Sequence, residues 1–170
     1  MDEFETWLKN EDKANFDDRL KHLRWLAANA PQNNIWRFHR GLITKHLFEE
    51  ARYCFVYGQY LATIMLGLSF IEHTLAAKFY ASGRNDLERA SVSRLLDEAL
   101  KSAWISDEEF NNLDHARKVR NPIVHFRTPG GEETLEYQAV LENEHPYSLL
   151  ENDALNVMEI VFHLLGKTSV

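Results

Sequence analysis

The strongest constraint in the sequence is a run of nineteen residues without a charged side chain, from Tyr53 to Ile71. A bilayer span needs about 20 predominantly apolar residues, so the length alone is compatible with a membrane helix. The run also holds three tyrosines, a glutamine, a threonine, a serine and two glycines. A helix at the centre of a soluble bundle must be largely apolar on all sides. We therefore predict a buried helix of a soluble protein and no membrane association.

The fold class follows from the spacing of the apolar residues. They recur every three to four positions along nearly the whole chain, and no segment has the alternation of a convincing strand. Scarce glycine (7) and proline (4) also argue against a turn-rich all-β protein. We predict an all-α fold, an antiparallel bundle of four or five helices with short connections. Residues 1–40, rich in aromatic side chains, are expected to form an N-terminal helical appendage to a bundle over residues 41–170.

Short polar side chains that can cap a helix and glycines that permit a left-handed turn mark most helix boundaries. In chain order these are Thr44 (start), Gly58 (break or bend), Gly83 (end), Ser91 or Ser93 (start) and the Ser106–Glu109 capping box (start). One helix is predicted over residues 12–29 and the last over 149–166, while residues 132–147 show no clear period. Asn121-Pro122 is expected to interrupt the helix that the capping box opens, because proline disfavours helical conformation in the residue before it.

The formal net charge of −7 is unevenly distributed. From residue 131 onward the chain has eight acidic residues and one basic residue, whereas the two balance in the first 130. A general polyanion-binding surface is basic, so a role with nucleic acid would rest on a local patch. The acidic first ten residues lack the apolar core of a signal peptide, and Cys54 alone cannot form an intramolecular disulfide. We expect a cytoplasmic protein.

Motifs for a metal site or for an activated nucleophile do not occur in the sequence. The Glu-x-x-His pair of a bundle di-metal site is missing, as is the Gly-x-Ser-x-Gly motif of a serine nucleophile. Glu159 and His163 are four residues apart, a spacing that is usual for surface pairs on a helix. We expect neither a metal site nor a cofactor.

Residues 115–127 are the segment that points to chemistry. They hold four permanent cations and two histidines without a carboxylate, in a protein that is acidic overall. His125 can exchange a proton near neutral pH, and Asn121 offers both a donor and an acceptor. Two interpretations remain: a solvated basic face with His125 packed in the core, or a site that cleaves phosphodiesters without a metal. The cations suited to phosphate are Arg117, Lys118, Arg120 and Arg127.

The segment Arg120-Asn121-Pro122-Ile123-Val124-His125 resembles the Arg-Asn-x-x-x-His form of the motif of the HEPN superfamily. The resemblance covers residues 41–167. Glu49–Arg52, Gly58–Ala62 and Ile71–Leu75 are similar to the first two helices of that fold, and the helix starting near Glu151 is similar to the last. HEPN domains are small α-helical bundles that dimerise through the motif-bearing face, so that two Arg/His sets form one cleft. Many are metal-independent endoribonucleases of toxin–antitoxin, phage-defence and CRISPR-associated systems; others are non-catalytic modules that bind nucleotide, RNA or protein.

The resemblance implies roles by position. His125 would be the general acid or base, Arg120 would stabilise the phosphate, and Asn121 would orient them. Glu72 stands at a frequent acidic position of the second helix, and pairing with an arginine is an equal alternative there. Arg127 stands where toxins silenced by a partner nucleotidyltransferase carry the modified tyrosine, a departure from the family pattern. The expected partners are RNA or a nucleotide, a second copy of the chain, and an antitoxin or regulatory protein. The residues expected to bind substrate are Arg117, Lys118, Arg127 and Glu72.

Overall fold

The computed structural model describes residues 2–32, 36, 38, 41–124, 128, 130–132 and 134–168, with residues 119–124 and 168 by their backbone alone. This part holds eight α-helices, a short 3-10 helix at Asn85–Leu87 and no strand. The predicted all-α class is therefore confirmed. The helices are α1 (Glu3–Ala14), α2 (Phe16–Asn29), α3 (Leu42–Val56), α4 (Tyr60–Ala81), α5 (Val92–Lys101), α6 (Asp107–Val124), α7 (Leu135–Glu142) and α8 (Pro146–Thr168).

The uncharged run is divided between two helices. α3 ends at Val56, the chain turns at Gly58 with a φ of +68°, and α4 begins at Tyr60. Among the described helices, α4 is long and apolar enough to cross a membrane by length and composition. Most of its apolar stretch is buried against the other helices, as expected for the central helix of a soluble bundle. The predicted break at Gly58 and the predicted buried helix are both confirmed.

Helix α4 is central to the bundle and packs mainly against α3 and α8. Gly67 permits the close approach to α8, because a Cβ atom at this position would overlap a methyl group of Val157. Two long helices can thus lie against each other along a line of buried side chains. The core around this contact contains large, fully buried residues from several helices, including Phe48, Phe55, Ile64, Leu68, Phe70, Phe79, Leu95, Leu96 and Leu113.

Helix α2 is attached to this core by two buried residues. Leu26 belongs to the core cluster. His22 lies with its Nδ1 atom 3.2 Å from the carbonyl oxygen of Val56 and its Nε2 atom 3.1 Å from the hydroxyl of Tyr60. The single helix predicted over residues 12–29 is divided at Asn15 into α1 and α2. The domain boundary predicted at residue 40 falls outside the described residues.

Three predicted boundaries are confirmed by local geometry. The capping box is complete: the Ser106 N–H donates to the Glu109 carboxylate at 2.7 Å, and the Glu109 N–H donates to the Ser106 hydroxyl at 3.1 Å. Of the two serines considered for α5, Ser91 is the cap, and its hydroxyl accepts from the Arg94 N–H. Gly83 has a φ of +85° just beyond α4, the left-handed conformation that ends many helices.

Two predictions for the starts and ends of helices are wrong. Thr44 does not cap α3, which begins at Leu42; it lies buried inside the helix, where its hydroxyl has no hydrogen-bond partner among the described residues. The Asn121-Pro122 pair does not interrupt α6, which continues to Val124. Because Pro122 falls in the last turn, its missing N–H removes one backbone hydrogen bond without breaking the middle of the helix.

A helix also occupies the acidic stretch for which no period was found. The hydroxyl of Thr134 accepts from the Tyr137 N–H at 3.3 Å and caps the start of α7. Asn143 then ends the helix in the left-handed conformation, with a φ of +53°. Val140 and Leu141 remain exposed on α7. This exposed pair explains why the segment lacks the buried apolar stripe by which a helix is usually predicted.

The approach of α4 to α8 gives a first prediction. Replacing Gly67→Leu forces a side chain into the space held by Val157, and overpacking of this kind costs about 1–3 kcal/mol. Better helix propensity offsets about 0.8 kcal/mol of that cost. We expect a lower free energy of unfolding, measured by urea denaturation. The control is Met65→Leu on the exposed side of the same helix, expected to stay within about 0.5 kcal/mol of wild type. Equal stability of the two variants would contradict the packing described.

Candidate functional site

The candidate site lies at the C-terminal end of α6, and the rest of the helix fixes that end in place. The capping box holds its first turn, and Leu113 and Ala116 are fully buried along its length. The helix packs against α4, α5 and α8. A helix held on three sides is a rigid support for the residues that follow its buried stretch.

The motif residues follow this buried stretch directly. Arg120 and Asn121 belong to the last turns of the α6 backbone. Arg120 is four residues after Ala116 and seven after Leu113, so its position lies on the helical stripe that is buried further back. His125 and Arg127 lie outside the described residues, and the side chains of Arg120 and Asn121 are likewise not described. Glu72 is half-buried on α4, one of the helices that pack against α6.

The two remaining cations of the segment, Arg117 and Lys118, meet at a single carboxylate. Asp114 accepts from the Arg117 guanidinium at 2.6 and 2.9 Å and lies 2.8 Å from the Lys118 ammonium. Partial burial alone would raise the pKa of Asp114, but the hydrogen bonds from Lys118 and Arg117 lower it below its ordinary value. The segment from 115 to 127 contains no carboxylate. The residue just before it, Asp114, nevertheless pairs with two of the four cations of the segment. This pairing reduces the local positive charge that the sequence indicated.

His115, the first histidine of the segment, is held by a carboxylate from another helix. Its Nε2 atom lies 3.1 Å from Oδ1 of Asp153 on α8. The Asp153 side chain is 10% exposed and the His115 side chain 55%, so a buried acid orients an exposed imidazole. The hydrogen bond with Asp153 raises the pKa of His115 against the opposing effect of partial burial, and the charge of Glu142 on α7 adds to the rise.

His115 in the middle of α6, Asp153 in the first half of α8 and Glu142 at the end of α7 therefore contribute to one polar surface. Asp153 joins α8 to α6, and the charge of Glu142 brings α7 into the same electrostatic environment. Val140 and Leu141 also present apolar side chains to solvent on α7. The surface itself combines an ionisable histidine with cations that are already paired. The cations of this surface could be predicted from the sequence. Its Asp153 carboxylate could not, because only the packing of α8 brings Asp153 to His115.

Residues outside the motif do not form a metal site in the described part of the chain, where no group of three or more His, Cys, Asp or Glu side chains is suitably placed. Glu159 and His163 were interpreted as a surface pair from their spacing. His163 instead has its Nδ1 atom 3.1 Å from the carboxylate of Glu109 on α6. Its partner is therefore on a neighbouring helix, and both side chains border an open cleft of about 560 Å³ that also contains Glu159.

No protein-family model matches the chain, and neither a curated protein nor a solved structure matches it. A function for this chain therefore has to come from its own residues.

The His115–Asp153 pair predicts a specific dependence of stability on pH. Because the folded-state pKa of His115 is raised above its ordinary 6.5, its stabilising effect is complete below that value and is lost as the pH rises through the folded-state pKa. We expect His115→Gln to lower the free energy of unfolding more at pH 5.5 than at pH 8.5 in urea titrations. Since His115 is half exposed, the difference should not exceed about 1 kcal/mol.

The control for this prediction is the same comparison in an Asp153→Asn background. Without the carboxylate, the effect of His115→Gln should become nearly independent of pH over this range. A pH dependence that survives in the Asp153→Asn background would show that another group, not Asp153, interacts with the imidazole.

Proposed function

We propose that the chain is a metal-independent endoribonuclease of the HEPN type. It would act as a homodimer in a toxin–antitoxin or phage-defence setting in the cytoplasm. The observation that carries the proposal is the position of the Arg-Asn-x-x-x-His motif. Arg120 and Asn121 lie in the last turns of a helix that packs against three others, and His125 is the next residue in the sequence after Val124, the last residue of that helix. A fixed helix end is a suitable support for groups that must act together on one phosphate.

The proposed reaction is attack of a ribose 2′-hydroxyl on the adjacent phosphorus. An imidazole at His125 accepts the hydroxyl proton or donates one to the departing 5′-oxygen. The guanidinium of Arg120 stabilises the charge that develops on the phosphoryl oxygens, and Asn121 orients the reacting groups. The products are a 2′,3′-cyclic phosphate and a free 5′-hydroxyl, and no group beyond these side chains is required. Glu72, on a helix that packs against α6, is proposed to line the substrate cleft or to pair with an arginine.

The proton transfers favour two copies of the motif. One imidazole must accept a proton while another donates one, and a two-fold interface supplies the second without further sequence. Apolar side chains that an interface could cover are Val140 and Leu141, which are exposed on α7, the helix whose Glu142 acts electrostatically on His115 of α6. Exposed apolar side chains next to a charged surface are common where proteins associate.

A second candidate function is a non-catalytic module of the same family that binds a nucleotide, RNA, or an antitoxin or regulatory protein. The pairing of Arg117 and Lys118 with Asp114 favours a nucleotide or a protein as its ligand, because cations that are already neutralised contribute less to holding a long polyanion such as RNA. The two candidates share a binding surface and differ in turnover.

The first test compares wild type with His125→Ala on labelled mixed-sequence RNA in excess EDTA. We expect wild type to produce fragments with 2′,3′-cyclic phosphate ends. Because both copies of the homodimer would lose their imidazole, the cleavage rate of His125→Ala should fall by at least the factor of about 10² to 10⁴ that one proton-transfer group contributes. His46→Ala is the matched control, since this exposed histidine lies on α3 away from the motif, and it should cleave like wild type.

Circular dichroism of each variant would show that the fold is retained. Equal cleavage by His125→Ala and wild type would exclude the catalytic role proposed for His125. RNA binding by wild type without any cleavage would support the non-catalytic module instead.

The second test concerns Asp114, the carboxylate that pairs with Arg117 and Lys118. In Asp114→Asn, Arg117 and Lys118 are released for phosphate contacts, so RNA should bind more tightly at low salt. The plot of log Kd against log salt should steepen by about 0.7 for each cation gained. Asp97→Asn on the exposed side of α5 is the control with the same change in net charge. Identical salt dependence in the two variants would show that RNA does not contact Arg117 or Lys118.

A further inference from the structure

Helix α1 is the part of the chain that the bundle does not cover. None of its twelve residues is buried. Phe4, Trp7 and Leu8 are 83, 63 and 56% exposed, and their spacing places them on one face of the helix. Isolated helices of about this length are only marginally stable in water. An amphipathic helix with three large apolar side chains in solvent is therefore an element whose partner surface is elsewhere.

A surface of matching character lies on α2 and the end of α3. Phe16, Leu20 and Leu23 of α2 line a shallow apolar groove of about 280 Å³ together with Val56, the last residue of α3, and Tyr57, which follows it. Phe16 and Leu23 are exposed along it. The groove and the apolar face of α1 are each about three side chains long. Covering one with the other would remove both from water.

The α1 helix of the same chain is not placed to cover this groove. Only Asn15 separates α1 from α2, and helical hydrogen bonds run through it. The Asn15 N–H donates to the Glu11 carbonyl and the Arg19 N–H donates to the Asn15 carbonyl, both at 3.1 Å. The Arg19 side chain also holds Asp12 across the junction at 2.9 Å. Folding α1 back onto Leu20 and Leu23 would break the hydrogen bond from Asn15 to Glu11 and the ion pair between Arg19 and Asp12.

The charges of α1 and of the groove indicate which partner fits the groove. Residues 2–14 contain five carboxylates and two lysines, and Glu3, Glu11 and Asp12 border the apolar face of α1. Arg19 lines the groove but is already paired with Asp12 of its own chain, so the exposed Arg24, one helical turn beyond Leu20, is the cation left for an incoming acidic helix. An acidic amphipathic helix is a poor ligand for anionic membranes or for RNA. It complements an apolar groove with arginines at its edge, and this chain contains one.

The geometry points to an exchange of arms between two copies, in which α1 of each chain lies in the α2–α3 groove of the other. Each copy donates an acidic arm and accepts one beside its own arginines, so the contact is self-complementary about a two-fold axis. This contact does not involve the Arg120–His125 motif. Where copies also associate through the motif-bearing face, the exchange of arms would double the mass of that assembly.

The test is the molar mass of the full chain by light scattering and sedimentation over a concentration series. Wild type is compared with the double variant Trp7→Ser/Leu8→Ser, which should halve the mass or raise the dissociation constant at least tenfold. Asn10→Ser, on another side of α1, is the control and should match wild type. Circular dichroism reports whether the bundle stays folded. Equal masses for wild type and the double variant would overturn the proposal, and another partner would then have to cover α1.

Variants with reversed charges test whether a second copy of the chain occupies the groove. Glu11→Arg and Arg24→Glu should each weaken association, because each places like charges together across the contact. In a mixed dimer of the two variants, the arginine introduced at position 11 of one chain faces the glutamate introduced at position 24 of the other, and the native Glu11 faces the native Arg24. Both contacts then pair opposite charges, so an equimolar mixture should associate more tightly than either variant alone. Failure of the mixture to recover would exclude a second copy as the occupant. Cleavage of RNA plays no part in these measurements, so the proposed ribonuclease activity can fail without affecting their outcome.

Discussion

The contact between α4 and α8 at Gly67 is the constraint on which the rest of the structure depends. α4 is apolar on nearly all sides, so it must be enclosed, and α3 covers only one part of it. The missing side chain at Gly67 lets α8 approach closely enough for Val157 to fill the space. With α4 enclosed in this way, α6 can pack against both α4 and α8. The helix that carries the motif is thus positioned by a contact made by residues far from the motif.

The polar surface around Asp114 and His115 of α6 combines two kinds of electrostatic arrangement. Asp114 neutralises cations of its own helix, which lowers the attraction of that surface for polyanions in general. Asp153 comes from another helix and favours the charged form of His115. The net effect is a surface whose positive charge is modest and depends on pH. Such a surface would bind a substrate through a few well-placed groups rather than by bulk charge, in agreement with the acidic composition of the protein.

Much of the fold could be predicted because its signals are local. A capping box, a serine cap and glycines that permit left-handed turns each depend on residues within one turn of one another, and the boundaries at Ser106, Gly58 and Gly83 were predicted correctly. The predictions were wrong where the helix boundary depends on the surrounding structure and not on the local sequence. Thr44 looks like a cap but is enclosed by the core, and Pro122 is tolerated because α6 ends two residues later. For the candidate site, the cations and histidines could be recognised from the sequence, whereas the pairing of His115 with Asp153 could not, because it exists only after α8 has packed.

The same dependence on α8 has a consequence for how the chain reaches its native state. During synthesis α3 and α4 emerge early and can form a helical hairpin, since they are joined by a three-residue turn at residues 57–59. The face of α4 that contacts α8 has no cover until residues 146–168 have been made, because Val157 belongs to the last described helix. Over that interval this face of the most apolar of the described helices is exposed to other nascent chains and to chaperones. Completion of the core is therefore a late, long-range event, and the rate at which α8 docks determines how long the unfinished chain can aggregate.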